Sequence, residues 1–476
     1  MRTSLGTVTV YCWLAMTAVC YILCEENFDV VYPQRLHSHR SKRDMSTVLE
    51  DETHEDSLSI KIKSKFHADD IVLDLARNDE NHPESLLLRT YDGEGNAVHD
   101  AIKPARCHYT GRVRKKRDSY ASISTCSGDA LVGVVDDGEH VFDIGPHESQ
   151  GSHNPNDQSD QRAHRFAKTD ELLEEISARY QNQERPHEDR KKDETTKPKE
   201  STIITDVKEE VAKSVRPYGL INVEPQYYPY LTTNDTRWVE VFVSCDHDMW
   251  KIYTNKDQVV ERVLNTIGSV DKAYQAINVR LVVVAIEIQN HGDVWPRERK
   301  GDPDLRKFTK HFKHTLRSEE PFRSLSIDTA MLLRPGGWND CGGIAFLGDI
   351  CTTGSPMSLS KYYPNSIAGS TTIIGHEFGH TMDMEDIYSY EKEGCTCLTK
   401  RGCFMGGFKS VRPGFETCGL TRFKAKSYKC LTNRPGNPLS LECGKTGSGR
   451  RGRNAIAVRQ KCVRKWIHVA NRTLVN

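Results

Sequence analysis

Between residues 25 and 150 the apolar positions recur in short runs at every second residue. Leu58, Ile60 and Ile62 alternate with polar neighbours, and Leu131 to Val135 run up to the turn-like Asp136-Asp137-Gly138. A period of two puts apolar side chains on one face of a strand, so this stretch is expected to be mostly β. From 151 to 233 the pattern gives way to Asp, Glu, Lys, Arg, Gln and Pro, as in Asp189-Arg190-Lys191-Lys192 and Thr196-Lys197-Pro198-Lys199. That composition predicts a linker, with a helical stretch only around Asp170 to Tyr180. Patterning resumes at Trp238 to Val243, which alternates as a strand. Val259, Val260, Val263, Leu264, Ile267, Val270 and Tyr274 then recur at helical spacing. Val279 to Ile288 is a β-branched run suited to a buried strand. The charged residues 297 to 320 read as a second helix and Leu325 to Leu333 as a third strand. Strands alternating with helices predict an α/β domain over 234–438, a length that suits one domain.

Composition narrows the setting. The chain has 476 residues, with lysine plus arginine and aspartate plus glutamate at 66 each. A balanced charge gives no global field for nucleic acid, and no nucleic-acid partner is expected. Arg2, the apolar run from Val8 through Leu23, and Glu25-Glu26 read as a secretory signal over 1–24, with a signal-anchor as the alternative. No later stretch is apolar for long enough to span a bilayer, so a secreted, extracellular and monomeric protein is expected. Taking Cys12, Cys20 and Cys24 from the fifteen cysteines leaves twelve, an even number that suits disulfides in an oxidising compartment. Their connectivity cannot be read from spacing. Asn234 and Asn471 open N-x-S/T sequons, which permit glycosylation. The basic clusters at 40–43, 114–117 and 190–192 are either processing sites or solvated charge. The tail, 439–476, is basic, and either solvated or held by acidic glycans.

The candidate chemistry lies at Gly375-His376-Glu377-Phe378-Gly379-His380-Thr381-Met382-Asp383-Met384-Glu385-Asp386. Ser370 to Ile374 is expected to cap and start a helix, so His376 and His380 project from one face and can share a metal. Glu377, next to the first histidine, is placed to take a proton from an attacking water. Catalytic zinc takes three protein ligands and keeps one open position. Asp386 is the third candidate, provided the helix ends near Met382 and the chain turns at Asp383. The plain alternative is a helix that happens to carry two histidines.

With its surroundings, this segment resembles the reprolysin or adamalysin group of metzincins, the ADAM, snake-venom and tick-salivary zinc proteases. Their motif reads H-E-x-x-H-x-x-G-x-x-H-D and is followed by a methionine turn. Cys403-Phe404-Met405 stands where that turn belongs, and Gly343-Ile344-Ala345, followed by Cys351, resembles the family's substrate-binding edge strand. Phe415-Glu416-Thr417-Cys418 and Cys430-Leu431-Thr432-Asn433 resemble its C-terminal helix and closing segment. Cys107-His108-Tyr109-Thr110-Gly111 and the stretch Ser122 to Gly128 resemble its pro-region. The resemblance implies a metzincin domain with a mixed twisted sheet, an active-site helix and a Met-turn, preceded by a mostly β pro-region over 25–150.

It also implies a secreted, zymogen-type zinc endopeptidase acting on extracellular proteins. One catalytic zinc would be held by His376, His380 and Asp386, with Glu377 as base, Met405 beneath, and peptide paired to Gly343, Ile344 and Ala345. A structural calcium is implied at Glu240, Asp328, Cys430 and Asn433, whose oxygen donors suit that ion; salt bridging or capping explains the same residues. Carried over residue by residue, the family pairs Cys351 with Cys430, Cys395 with Cys418 and Cys397 with Cys403, with Cys107–Cys126 as a pro-region bridge. Cys245–Cys341 and Cys443–Cys462 are what remains. A structural zinc at Cys395, Cys397 and Cys403 is the alternative for the close set.

Two departures from the motif lie in the metal site. Asp383 stands for its glycine and Asp386 for its third histidine. Carboxylate oxygen is an accepted zinc ligand, yet its charge should weaken the acidification of water at the site. The expectation is an active enzyme with altered metal affinity or pH optimum; the rival is a degraded relative that acts by binding a partner. Latency is a further open point. Family members often use a free pro-region cysteine, but none occurs between Cys126 and Cys245, so His164, His187, a carboxylate or steric cover would have to serve.

Overall fold

Period-two patterning builds the first sheet, which opens with β1 (Phe28–Val31), β2 (Gln34–Arg35), β3 (Ser57–Ile62) and β4 (Ile71–Arg77). In β3, Leu58, Ile60 and Ile62 are buried and the residues between them are not, as alternation requires. The chain then leaves this sheet for a hairpin, β5 (Leu86–Tyr91) and β6 (Ala97–Ile102). It returns through β7 (His108–Val113), β8 (Tyr120–Ser127), β9 (Ala130–Asp136), β10 (Val141–Pro146) and β11 (His164–Lys168). The nine strands pair antiparallel in the order β1-β11-β10-β9-β8-β7-β4-β3-β2. Phe142 stacks on Phe166 at 4.6 Å in its core, and Cys107–Cys126 bridges β8 to the residue before β7. In this computed structural model the described residues are 27–36, 55–78, 83, 85–127, 130–147, 162–181, 235–352, 357–397, 399–426 and 428–435.

The first unit comprises residues up to 78, 106–171 and 365–368. There Asp143 of β10 accepts from Ser366 Oγ and, at 3.0 Å, from Ala368 N. The helix α1 (Asp170–Gln181) starts in this unit, where Asp170 Oδ1 accepts from Val141 N at 2.9 Å. From Leu172 onward it clusters with the second unit.

The second unit comprises 79–105, 172–364 and the residues from 369 on. β12 (Arg237–Cys245) leads through α2 (His247–Tyr253) into α3 (Lys256–Tyr274). Asn255 caps α3 by accepting from Asp257 N and Gln258 N, worth about 1 kcal/mol against alanine. Val259, Val263, Ile267, Val270 and Tyr274 are buried on its inner stripe. Asn278, in the left-handed region at φ 58°, turns the chain into β13 (Val279–Ile288). Next come α4 (Gly301–His314), β14 (Thr329–Arg334), β15 (Gly343–Ala345), β16 (Met357–Lys361) and α5 (Ile367–Thr381). After these are α6 (Tyr390–Glu393), the short pair β17 (Gly402–Cys403) and β18 (Gly407–Phe408), and α7 (Thr417–Ala425). The sheet runs β15-β16-β14-β12-β13-β5-β6, parallel from β16 to β5 and antiparallel at both ends. The architecture is mixed α/β.

Several boundaries differ from the sequence reading. Residues 86–102 fall inside the stretch 25–150 yet extend the second sheet, because β13 offers a free edge to which β5 pairs through Ala285↔Leu87 to Glu287↔Arg89. β11 is an ordered strand inside the stretch 151–233, where only the helix that α1 forms was expected. The charged segment 297–320 is helical only over α4, with short 3-10 turns after it. α5 starts at Ile367 rather than at Ser370, whose hydroxyl accepts at 2.9 Å from Tyr363 N in the segment before the helix.

Cys351–Cys430, Cys395–Cys418 and Cys397–Cys403 are bridged. The expected Cys245–Cys341 bridge is not formed, and both are free thiols. Cys245 ends β12 facing the cluster with Val243 and Met249, whereas Cys341 packs in the other cluster with Phe308 and Ile344, so the two are held in different cores. Cys443, Cys462, Asn234, Asn471 and the signal lie outside the described residues.

Candidate metal centre

The helix that carries the histidines is clamped on several sides. Tyr274 of α3 donates its hydroxyl to Gly375 O at 2.6 Å and packs against Phe378, Phe404 and Phe415 at 4.8, 5.4 and 4.9 Å. Met405, 3% exposed, closes the floor. A Cβ on Gly379 would stand 2.7 Å from its sulfur, so only glycine lets the turn approach so closely. The turn is tied down in its own right: Met405 N donates to Glu416 Oε1 and Ile387 N donates to Met405 O, both at 2.8 Å. Burial pushes the Glu416 carboxyl up to about 7.

α5 ends at Thr381. Asp383 adopts φ 73° and its N donates to His380 O at 2.9 Å, while Met384 N donates to Gly379 O at 3.1 Å. This left-handed exit carries the chain back under the helix and brings Asp386 to the histidines. His376 Nδ1 donates to Phe404 O at 2.7 Å and His380 Nδ1 to Met384 O at 2.8 Å. Those bonds keep a proton on each Nδ1, so in the neutral ring it is Nε2 that carries the lone pair, as a metal-ligating histidine requires. Asp386 Oδ1 lies 3.1 Å from His376 Nε2 and 3.5 Å from His380 Nε2. Ligand atoms on a tetrahedral zinc are about 3.3 Å apart when the bonds are about 2.05 Å.

His376 Nε2, Asp386 Oδ1 and the neighbouring Glu377 Oε2 are buried without a hydrogen-bond partner. Buried polar atoms are seldom left so, and a cation at this point satisfies the first two. The donor set therefore fits zinc. Among the described residues one other cluster has ligand geometry, Cys107, His108 and Cys126, but its two sulfurs are spent in a disulfide.

The charges of these groups are tightly coupled. Burial opposes charge on His376, yet the Asp386 carboxylate beside it and Glu377 hold its imidazole up at about 9. Burial and the charge of His376 push His380 down to about 4. Asp386 is held at about 2, against burial, by the two histidines. Burial raises Glu377 to about 7, with His376 pulling the other way, which suits a group that must take and return a proton near neutral pH. The edge strand comes close: a Cβ on Gly343 would meet Glu377 Oε1 at 2.5 Å.

The remaining expected residues fall elsewhere. Glu240 N donates to Asp328 Oδ2 at 2.9 Å, and Asn433 Nδ2 donates to Glu240 Oε2 at 3.2 Å. Cys430 is held to Cys351 on the same closing segment as Asn433. Burial and the charge of Glu240 push Asp328 up to about 7. His164 is engaged in the first sheet, where its Nε2 accepts from Leu131 N at 2.8 Å; His187 lies outside the described residues. Tyr180 was not foreseen. Its ring lies 4.1 Å from that of His376 and its hydroxyl donates to Glu377 Oε1 at 2.9 Å. The only signal for it in the sequence is the stripe Leu172, Ile176, Tyr180 in an otherwise charged stretch.

Residues 237–435 match the reprolysin (M12B) family zinc metalloprotease, and residues 29–114 match the reprolysin family propeptide. Among curated relatives, the zinc metalloproteinase-disintegrin-like atrase-A of Naja atra is 23% identical over 86% of this chain and 61% of its own length. Disintegrin and metalloproteinase domain-containing protein 9 of Homo sapiens is 23% identical over 86% of this chain and 45% of its own. The chain thus spans about half to three-fifths of those relatives. Metalloproteinase-II from Bacteroides fragilis, a solved structure, is 10% identical and covers 77% of this chain and 89% of its own, with a TM-score of 0.38, too low to equate the two folds. The two family matches, which together hold the opening strands of the first sheet, the H-E-x-x-H helix and the Met-turn, place the chain in the reprolysin family of metzincin zinc metalloproteases.

Proposed function

We propose that the chain is a secreted zinc endopeptidase made as a zymogen, with Glu377 as its general base. The observation that carries this is the convergence of His376 Nε2, His380 Nε2 and Asp386 Oδ1 within 4.8 Å of one another, next to a buried carboxylate. Zinc bound there supplies Lewis acidity to a peptide carbonyl and to water. His376 and His380 offer fixed lone pairs, and Asp386 contributes the charge that neutralises part of the ion. Glu377 takes a proton from the attacking water and hands it to the departing amine. The outer edge of β15 gives an extended peptide a backbone to pair with, next to Glu377.

The substrates are extracellular proteins or peptides, consistent with a pro-region and with relatives named as metalloproteinases. Glu240, Asp328, Cys430 and Asn433 form the calcium site of this reading, where a divalent ion would relieve two crowded buried carboxylates. No described helix is long and apolar enough to cross a membrane.

Elemental analysis and cleavage of a denatured protein test the proposal. The released enzyme should hold one zinc and lose activity to a chelator, and Glu377→Gln should lower cleavage by about 10²- to 10⁴-fold with zinc retained. Neither zinc nor chelator-sensitive cleavage in the released wild type would sink the reading. Full activity in Glu377→Gln would remove the assigned base.

A further inference from the structure

The charged stretch after the first sheet holds one apolar stripe, and it points at the metal centre. Leu172, Ile176 and Tyr180 recur every fourth residue of α1, one helical face. Ile176 and Tyr180 pack with Ile373 of α5 and Phe408 of β18, flanked by Leu172 and Tyr363. Ser177 Oγ, one residue round the helix, accepts from Phe408 N at 3.1 Å. At the end of the stripe Tyr180, 7% exposed, lays its ring over the His376 imidazole and donates its hydroxyl to Glu377 Oε1. That hydroxyl also stands 3.3 Å from the place a Cβ on Gly342 would take, directly before the edge strand. One side chain therefore covers a metal ligand, the base and the end of the strand where a peptide would pair. A scissile carbonyl and its water need that same volume, because a base must stand within hydrogen-bond reach of the proton it takes.

We propose that α1 is a built-in plug of the catalytic cleft and that Tyr180 silences it, its ring shielding His376 and its hydroxyl occupying Glu377. The proposal rests on the metalloprotease reading. No thiol is needed, and none is present between Cys126 and Cys245. The hydroxyl holds Glu377 in a hydrogen bond that a substrate must break, and the apolar stripe keeps the helix seated while it does so. Opening the site means lifting α1 away from Ile373 and Phe408, which a cut between α1 and β12 permits.

The test uses the full, uncut chain as wild type, Tyr180→Phe and Tyr180→Ala. Each is loaded with zinc and titrated calorimetrically with a small hydroxamate, and amide exchange of residues 343–345 and of α5 is followed on metal-free samples. Tyr180→Phe keeps the ring and loses the bond to Glu377, so hydroxamate affinity should rise roughly tenfold. Tyr180→Ala removes the ring as well and should raise affinity and exchange by about a hundredfold or more. The graded response in the conservative variant, which retains the packing, guards against loss of fold in the other. Equal affinity and equal exchange in all three proteins would overturn the plug. Exchange that follows Tyr180 while released wild type cleaves nothing would keep the plug and discard the protease; cleavage by released enzyme with exchange indifferent to Tyr180 would do the reverse.

Discussion

Replacing Arg89 by alanine takes the cation away from a carboxylate that has no access to water. Arg89, on β5, is 3% exposed, and Glu287, on β13, is fully buried. Arg89 Nε lies 3.3 Å from Glu287 Oε1, and its Nη1 donates to Glu319 Oε2 at 2.7 Å. Removing one partner of a buried pair costs about 3–5 kcal/mol, since the other charge is stranded. Glu287 still accepts from Tyr91 OH and Ser244 Oγ at 2.8 Å, and His311 Nε2 lies 2.9 Å away. The low end, about 3 kcal/mol, is therefore expected. In a unit of this size that lowers Tm by about 6–12 °C, at about 2–4 °C per kcal/mol.

The pH dependence gives the sign. Although burial raises it, Glu287 is held at about 2 by His311 and Arg89, against 4.5 for the free side chain. Its stabilisation is present above pH 4.5 and is lost as pH falls through the folded value. The Arg89→Ala penalty should therefore be full at pH 7 and shrink in acid. Urea unfolding of the uncut chain, with amide exchange of residues 279–288 as the local probe, measures it. Adding Glu287→Gln to Arg89→Ala should recover more than half the loss, as a double-mutant cycle would report. A loss below about 1 kcal/mol, or no recovery in the double variant, would refute the idea that this ion pair joins the hairpin to the sheet.

Asp386→Asn should weaken zinc by more than the roughly 10- to 100-fold that loss of an outer-shell partner costs, read by competition with a chromophoric chelator; unchanged affinity would mean the carboxylate is not a ligand. His99, which faces Arg89 from β6, is pushed down to about 4, by burial first and by the charge of Arg89. The unfolded chain protonates it near 6.5, so the stability held above that pH should fall between 6.5 and 4, by at most about 3 kcal/mol. Comparing urea midpoints at pH 7 and 5 for wild type and His99→Gln checks this, and a slope unaltered in the variant would count against it.

What could be read in advance was local. Helical spacing in Val259 to Tyr274 and the β-branched run Val279 to Ile288 name their own secondary structure, the first by its period and the second because a strand covered on both faces reads as a near-continuous apolar run. His376, Glu377 and His380 are fixed by spacing on one turn of helix, so their shared geometry needs no knowledge of the rest. Pairing was not legible. Leu86 to Leu88 is an apolar run too short to name its element, and nothing in it says that its partner is β13, some two hundred residues away. Tyr180 belongs to a stripe of three apolar residues, too short to announce what it covers. Cys245 and Cys341 were matched only because others were taken, and the sheet that separates their cores has no signature in their spacing.

The hairpin β5–β6 makes activation more than a matter of connectivity. Two of the seven strands of the second sheet arrive from upstream of any cut made between α1 and β12, so the nicked protein is a heterodimer whose fragments share a ladder. Its melting temperature should then depend on protein concentration, by mass action, where that of the intact chain does not. Departure of the smaller fragment would leave β13 as a naked border open to strand addition, and Glu287 would lose its arginine at the same moment.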